Sequence, residues 1–575
     1  MANLGSFRGA ILSTQGCVPV LKLDRGPVSH SGAGKYPSYR KQFGWEEILM
    51  RRLLGFTIFG LLLSLIGAGT ASATTYYIAA NGSDSNNGTT KTTPWAHAPG
   101  MPNCASTCAS TTPVAGDSII FRGGDTWHYA ASTAPAVGGG WDWTWSGSSG
   151  SQIYIGVDKT WYSGSSWARP IINFDNPLNS GGYVTSCTYD YATNQGLNLW
   201  SGSYVTVDNF EWTGMCVAAS VTYGDAMIIK WGGNYNQFTN NYFHGWTQSS
   251  ISYITILMGP NVGGEVTHTI IAGNVADGSD TYCTGGGSCE ASFAYGDGYD
   301  IHQNVIRYVM NVFIGNVYTV HDNLFEYIYE GNSNYTHGNI IESNGTLAGV
   351  PIFIYNNIFR HTDIGVGIWL GPGTGEYVFN NVSFDNGNPT NCYMFAGSST
   401  GSTFLYFYNN TSDSACNIRL TNTGSSPVPF VGNAYFKNNH FINYSPAALT
   451  SVYSEDSGVT ATVVDNGSEV YQTEAAANGQ GYLPGNNYAP TLASGATVTA
   501  SGGNLTGSCS TFSADNALCS GLASVSEATR PSAAYPAISI VARPTSGFWN
   551  AGAYQFGTSS AGQPTPPTSL LAIVQ

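Results

Sequence analysis

Short segments in which Val, Ile, Tyr or Phe alternate with polar residues recur along the chain, and each runs into asparagine. They span Val205 to Phe210, Phe238 to Phe243, Ile270 to Val275, Tyr318 to Phe325, Phe353 to Phe359, Tyr377 to Val382, Tyr406 to Asn410 and Tyr435 to Phe441. A period of two predicts strands with one buried face. The aligned asparagines, Asn209, Asn241, Asn274, Asn323, Asn357, Asn381, Asn410 and Asn439, lie 32, 33, 49, 34, 24, 29 and 29 residues apart. That spacing predicts a solenoid with one coil per repeat. Asparagine tolerates the left-handed backbone of a tight bend and can hydrogen-bond a neighbour in a stack, so the strand-Asn-strand unit reads as a coil corner. The 49-residue interval predicts either a long loop or an extra coil.

A second pattern precedes most corners: Asp225 to Lys230, Asp297 to His302, His337 to Glu342 and Ile364 to Trp369. Aligned on the small second residue, these segments place Asp225, Asp297 and His337 in one column. Lys230, His302, Glu342 and Trp369 fall in another. Two such columns on adjacent rungs suit a sugar cleft, because carboxylates serve as acid and base, histidine moves a proton and an indole carries a pyranose face. A rival register stays open. His302 and His321 have similar contexts, Tyr299 to Asn304 and Tyr318 to Asn323, so both read equally as corner residues. That register gives the 49-residue interval an extra coil and removes His302 from the cleft. It also sets Arg307, Glu326 and Arg360 in an exposed ion-pair ladder worth about 0 to 1 kcal/mol per pair. Plainer readings accompany other features. Gly296-Asp297-Gly298 reads equally as a turn, Asn81 to Thr89 as a cap turn rather than a calcium loop, and Trp141, Trp143, Trp145, Trp161 and Trp167 either as a sugar platform or as packing over the N-terminal end.

Composition narrows the class. Only 9% of the 575 residues are charged, and 19 Lys plus Arg face 34 Asp plus Glu, a formal charge of −15. This excludes a coiled coil and a nucleic-acid binder with a basic face. The 72 Gly, 14 Trp, 36 Tyr and 25 Phe suit a turn-dense all-β chain. Met50-Arg51-Arg52, the apolar run Leu53 to Ile66 and Ala71-Ser72-Ala73 together read as a signal peptide over residues 50–73, cleaved near Ala73. Its core of 14 residues is short for a membrane span, and residues 1–49 then read as a misannotated upstream extension. Residues 1–73 hold 8 of the Lys plus Arg and 3 of the Asp plus Glu, so the cleaved chain keeps 11 against 31, a net −20. Cys17 is lost with them. The remaining cysteines, Cys104/Cys108, Cys187/Cys216, Cys283/Cys289, Cys392/Cys416 and Cys509/Cys519, suggest disulfides between sequence neighbours, although sequence alone fixes no connectivity. Their irregular spacing argues against zinc.

With these repeats the sequence resembles the right-handed parallel β-helix proteins of the pectate-lyase-like superfamily. The entry segment Tyr76 to Thr89 with Pro94-Trp95 looks like the N-terminal signature of exported members, and Ala115 to Gly124 like their first strand. Arg543-Pro544 through Gly552-Ala553-Tyr554 resembles their closing segment. The resemblance implies an all-β fold, a right-handed parallel β-helix over residues 74–556, followed by a Pro/Thr/Ser-rich tail over 557–575. Asp297 to Ile301 also resembles one catalytic segment of polygalacturonase-type glycoside hydrolases, and His337-Gly338 their later His-Gly segment. The paired-Asp segment expected between them is missing, and Asn417 to Leu420 supplies Arg without Lys. Carried over residue by residue, the resemblance implies Asp297 or Asp300 as acid or base, His337 as partner and Arg419 as a subsite cation.

The expectation is therefore a secreted, monomeric protein, extracellular or periplasmic, that acts on a polysaccharide and has no membrane span after cleavage. Its catalytic candidates are Asp297, Asp300, His302, His337 and Glu342, and its substrate-binding candidates Lys230, Trp369 and Arg419. Hydrolysis stands slightly ahead of a lyase reaction. A lyase would need a base, drawn from Lys230, His302, His337, Arg307 or Arg360, and a cation such as calcium held by Asp297, Asp300 and Glu342. The rival from another class is a non-catalytic glycan-binding or adhesin-like surface protein.

Overall fold

The computed structural model describes residues 72–128, 140–176, 185–188, 195–217, 226–248, 254–260, 267–280, 291–296, 298–328, 339–343, 351–362, 366–370, 375–384, 393–397, 402–413, 417–420, 431–444, 448–486, 489–491, 502–512, 516–525 and 538–556. Three long sheets, of 13, 12 and 11 strands, run side by side, and every pairing within them is parallel. We call them the first, second and third face. A coil visits the third face, then the first, then the second, as in Gln195–Leu199, Val205–Asp208 and Glu211–Thr213. This is a right-handed parallel β-helix. Its first strand is Thr75–Ile78, so Ser118–Gly123, expected to open the sheet, is the second.

The alternating pattern decides which side chains enter the coil. On the first face Val207, Phe238, Ile271, Ile301, Val320, Ile354, Val378, Phe407 and Phe436 sit in register, rung upon rung, and all are buried. Neighbouring side chains on successive rungs are about 4.8 Å apart, so one apolar position per coil builds a continuous core. Trp141 and Trp143 join that core with no exposed surface and serve as packing, whereas Trp145, Trp161 and Trp167 remain partly exposed. Asp84 accepts hydrogen bonds from the N–H groups of Ala96 and His97, so the Asn81 to Thr89 segment uses its carboxylate to pin the N-terminal cap.

The corner divides its labour between two adjacent residues. The first takes the left-handed backbone: Asn209, Asn240, Gly273, Gln303, Asp322, Asn356, Asn380, Asn409 and Asn438 all have φ between 52° and 67°. The second builds a ladder. Asn241, Asn274, Asn304, Asn323, Asn357, Asn381, Asn410 and Asn439 are buried, and each Oδ1 from Asn274 onward accepts the backbone N–H of its predecessor at 2.9–3.1 Å. Each side-chain amide also donates to a strand carbonyl of the previous coil, as Asn323 Nδ2 does to Ile301 at 2.9 Å. The buried side-chain amides of the ladder asparagines are thereby satisfied from rung to rung, whereas Asn356 Oδ1 and the Asn409 amide in the left-handed position find no hydrogen-bond partner. Asn209 belongs to the left-handed set, one position before the ladder, where Phe210 stands instead. Asn304 splits the 49-residue interval into steps of 30 and 19 residues, so an extra coil is present.

The C-terminal segment folds back over the outside. Phe512 packs its ring 5.0 Å from Tyr377 and 5.3 Å from Phe379 on the first face. Tyr482, Leu522, Ala553 and Tyr554 cover the second face. Arg543, fully buried, donates to the carbonyls of Ser520, Asn550 and Gly552 and so pins the closing segment; burial pushes its pKa down to about 9. Disulfides join Cys104 to Cys108, Cys187 to Cys216 and Cys509 to Cys519, as the neighbour rule expected. Cys283, Cys289, Cys392 and Cys416 lie outside the described residues. Among the described residues no helix is long and apolar enough to cross a membrane.

Candidate functional site

Two columns of side chains point outward from the first face. One runs through Thr206, Gln237, Ile270, Asp300, Thr319 and Phe353, the other through Asp208, Thr239, Ala272, His302, His321 and Tyr355. Toward the C-terminal end both become aromatic and pass beneath the Phe512 segment. Asp208 is already saturated: Tyr154, Asn209, Thr239 and Asn240 all donate to it at 2.7–2.8 Å. Its role is structural.

Midway along, Gly298–His302 and Val317–His321 lie on adjacent coils and pair His302 with His321. Their rings stack at 4.9 Å, and His321 stacks in turn on Tyr355 at 4.7 Å. Asp300, two residues before His302 and therefore on the same outward side, meets both rings. Its Oδ1 lies 3.0 Å from His302 Nδ1 and 3.2 Å from His321 Nε2. The other ring nitrogen of His321 lies 2.7 Å from Asp322 Oδ2, and Asp322 sits at the left-handed corner. His302 is nearly buried, whereas the Asp300 side chain keeps 31% of its surface exposed.

Burial alone would raise the Asp300 pKa and lower that of His321. The contacts outweigh it in both cases. Hydrogen bonds and charge from His302 and His321 hold Asp300 well below the usual carboxylate range. Asp300 and Asp322 together raise His321 to about 10. An imidazolium between two carboxylates is thus the resting arrangement in the absence of other ligands. Asp300, His302 and His321 also bring three donor atoms within 4.8 Å of one another, a set that could hold a metal ion. Two imidazole nitrogens do not suit calcium, which takes roughly six to eight oxygen ligands.

The remaining sequence candidates divide. Lys230, Glu342, Trp369 and Arg419 share one register position on the third face, separated by Met258, Tyr295 and Ile314 between Lys230 and Glu342 and by Ala396 before Arg419. His302 does not belong to that column. It stands on the first face, because the extra coil at Asn304 brings the strand Gly298–His302 to the corner and not ahead of it. Asp300 and Glu342, named together as possible calcium ligands, stand on different faces. Lys230 places its Nζ 4.6 Å above the half-exposed ring of Trp200, and Arg419 pairs with Asp456 at 2.6 Å. Asp225, Asp297 and His337 lie outside the described residues. Sequence reasoning left His321 and Asp322 out of the cleft. The signal for His321 was the matching contexts around His302 and His321, two residues ahead of consecutive ladder asparagines.

No family model matches the chain, and no curated protein matches it. Solved structures do. The chain is similar to a GH136 lacto-N-biosidase from Eubacterium ramulus, with 13% identity, a TM-score of 0.36, and 70% of this chain and 68% of that one covered. It is similar to the pectate lyase Pel9A, with 16% identity, a TM-score of 0.32 and coverage of 70% and 80%. A rhamnogalacturonan lyase matches with 14% identity, a TM-score of 0.35 and coverage of 70% and 88%. At such identities the likeness concerns the fold.

Proposed function

We propose that the protein is exported and cleaves an extracellular glycan at the Asp300, His302, His321 and Asp322 cluster, by hydrolysis. The observation that carries this reading is His321 held between two carboxylates on adjacent coils of an outward face. The ring of His321 joins the two carboxylates, Asp300 on one nitrogen and Asp322 on the other, so the cluster brings carboxylate bases and a proton-carrying imidazole together in one unit, the groups that acid–base cleavage of a glycosidic bond needs. Stacked rungs suit a linear polymer, since successive coils present successive contacts. Lys230, Glu342, Trp369 and Arg419, aligned on the neighbouring face, are proposed to contact flanking sugars, and Asp297 and His337 remain candidates for the same chemistry. The disulfides and the leader-like residues 50–73 support export. A lyase reaction is the second reading, favoured by the three-donor set, which could neutralise a uronate carboxylate through a bound cation.

The test is a screen of the purified protein on plant, algal and bacterial polysaccharides, recording reducing ends and ultraviolet absorbance. Reducing ends without absorbance support hydrolysis. Reducing ends with unsaturated, absorbing products establish a lyase. Retention of glycan with no product across the panel would leave a binding protein and end the enzymatic reading.

A further inference from the structure

Asp300, His302 and His321 bring three donor atoms within 4.8 Å of one another. We propose that Asp300, His302 and His321 bind a divalent transition metal of the zinc, cobalt or nickel class. Three observations converge. First, Asp300 Oδ1 lies 3.0 Å from His302 Nδ1 and 3.2 Å from His321 Nε2. Donors bound at about 2.0–2.1 Å around a tetrahedral ion stand about 3.3 Å apart; both spacings to Asp300 match that, and all three donor atoms lie within 4.8 Å of one another, so a rotation of the imidazoles toward Asp300 closes the set. Second, the far nitrogen of His321 is tied to Asp322 at 2.7 Å. A carboxylate on the remote ring nitrogen is the usual companion of a metal-bound histidine: it fixes the tautomer and turns the other nitrogen's lone pair toward the ion. Third, ring stacking of His302 on His321, and of His321 on Tyr355, fixes both imidazole planes before any ligand arrives. Pre-set ligands lower the cost of ordering on binding.

The donor set also states the selectivity. Imidazole nitrogens prefer zinc, nickel and copper to calcium or magnesium. Three protein donors leave a position for a further ligand, and the partial exposure of Asp300 leaves a way to it. A sugar hydroxyl, a uronate carboxylate or water suits that position. Any part of this in turnover rests on the glycan-cleaving reading; binding of the metal does not.

The experiment uses the purified full chain without a histidine tag, stripped with chelator and titrated with Co²⁺ and Zn²⁺ while visible absorption and bound metal are followed. One equivalent is expected to bind, with cobalt bands in the visible range and displacement by Zn²⁺ but not by Ca²⁺. His302→Gln and His321→Gln should each weaken binding at least 100-fold, and Asp322→Asn by about 10- to 100-fold. Circular dichroism checks that each variant folds. No uptake, or uptake unchanged in the histidine variants that fold, overturns the proposal and leaves a hydrogen-bonded imidazolium cluster only. Glycan cleavage that survives complete stripping likewise removes the metal from catalysis while keeping the glycan reading. Metal bound at this site with no product from any glycan supports the site and defeats the glycan reading.

Discussion

Among the described residues, His321 and His244 each sit between two carboxylates, and the coil surrounds them differently. His321 on the first face lies between Asp300 and Asp322. His244 on the second face has Asp280 at 2.6 Å and Glu211 at 3.1 Å, with Tyr242 stacked on its ring at 4.3 Å. Those contacts overcome burial and raise His244 to about 9. The neighbours along the two columns are unlike. Beyond His244 the register continues through Asp277, Arg307, Glu326 and Arg360, charges alternating with sign and joined at 2.8–3.2 Å. These side chains are at most 1% exposed. The ladder foreseen as exposed is therefore buried, because Tyr554 and the rest of the C-terminal segment lie over that face. On the first face Asp300 is shared by two imidazoles and remains partly open. Both clusters share a carboxylate between two partners; what differs is that Glu326 is sealed between two buried guanidiniums, whereas Asp300 stands between two rings within reach of solvent.

The comparison breaks most readily through activity. Asp300→Asn and His321→Gln are expected to reduce glycan cleavage by about 100-fold or more in the protein that remains folded, the usual contribution of a positioned acid or base. A variant that keeps full turnover in the polysaccharide assay moves the chemistry elsewhere. Glu326→Gln should do the reverse. It leaves Arg307 and Arg360 buried beside an uncharged partner and is expected to cost about 3–5 kcal/mol in chemical denaturation, with kcat unchanged in whatever remains folded. A loss under about 1 kcal/mol would mean that the ladder is no more valuable than an exposed one.

The second histidine sharpens the contrast through pH. Its folded pKa of about 9 stands above the ordinary value of 6.5, so its protonated form is favoured by folding. That stabilisation, about 3 kcal/mol at most, is fully present below pH 6.5 and disappears as pH rises through 9. His244→Gln should flatten the stability profile over that window. The smallest effect concerns Glu376, which points into the core with Ile352 and Leu405 as its register neighbours and has no exposed surface. Burial raises its pKa, so ionisation of the unfolded chain above pH 4.5 works against folding. Glu376→Met is expected to stabilise the protein by about 1–3 kcal/mol at about pH 8, less at about pH 5. Equal gains at both pH values would show that Glu376 is not protonated in the fold.

The coil period and the corner were legible because they repeat: one strand pattern and one asparagine recur however the loops vary. The face on which a strand lies was less legible. Gly298–His302 and Asn339–Ser343 are both alternating strands, and period two does not distinguish the first face from the third. Counting back from the corner does, since His302 stands two residues before Asn304 whereas Glu342 stands fifteen before Asn357. Burial of the ladder was not legible at all. It depends on a segment about 200 residues downstream, and local pattern carries no such information.

The asparagine corner bears on how such a chain lengthens. From Asn274 to Asn410 each asparagine meets an asparagine on the rung to either side and a strand carbonyl of the previous coil, so the contacts are the same wherever they occur. A rung copied whole finds its partner above and below without any compensating change. The 19-residue step between Asn304 and Asn323 is such a rung reduced almost to its strands, and it is the rung that carries His321 beneath His302. Gaining or losing a single turn therefore alters chemistry as well as length.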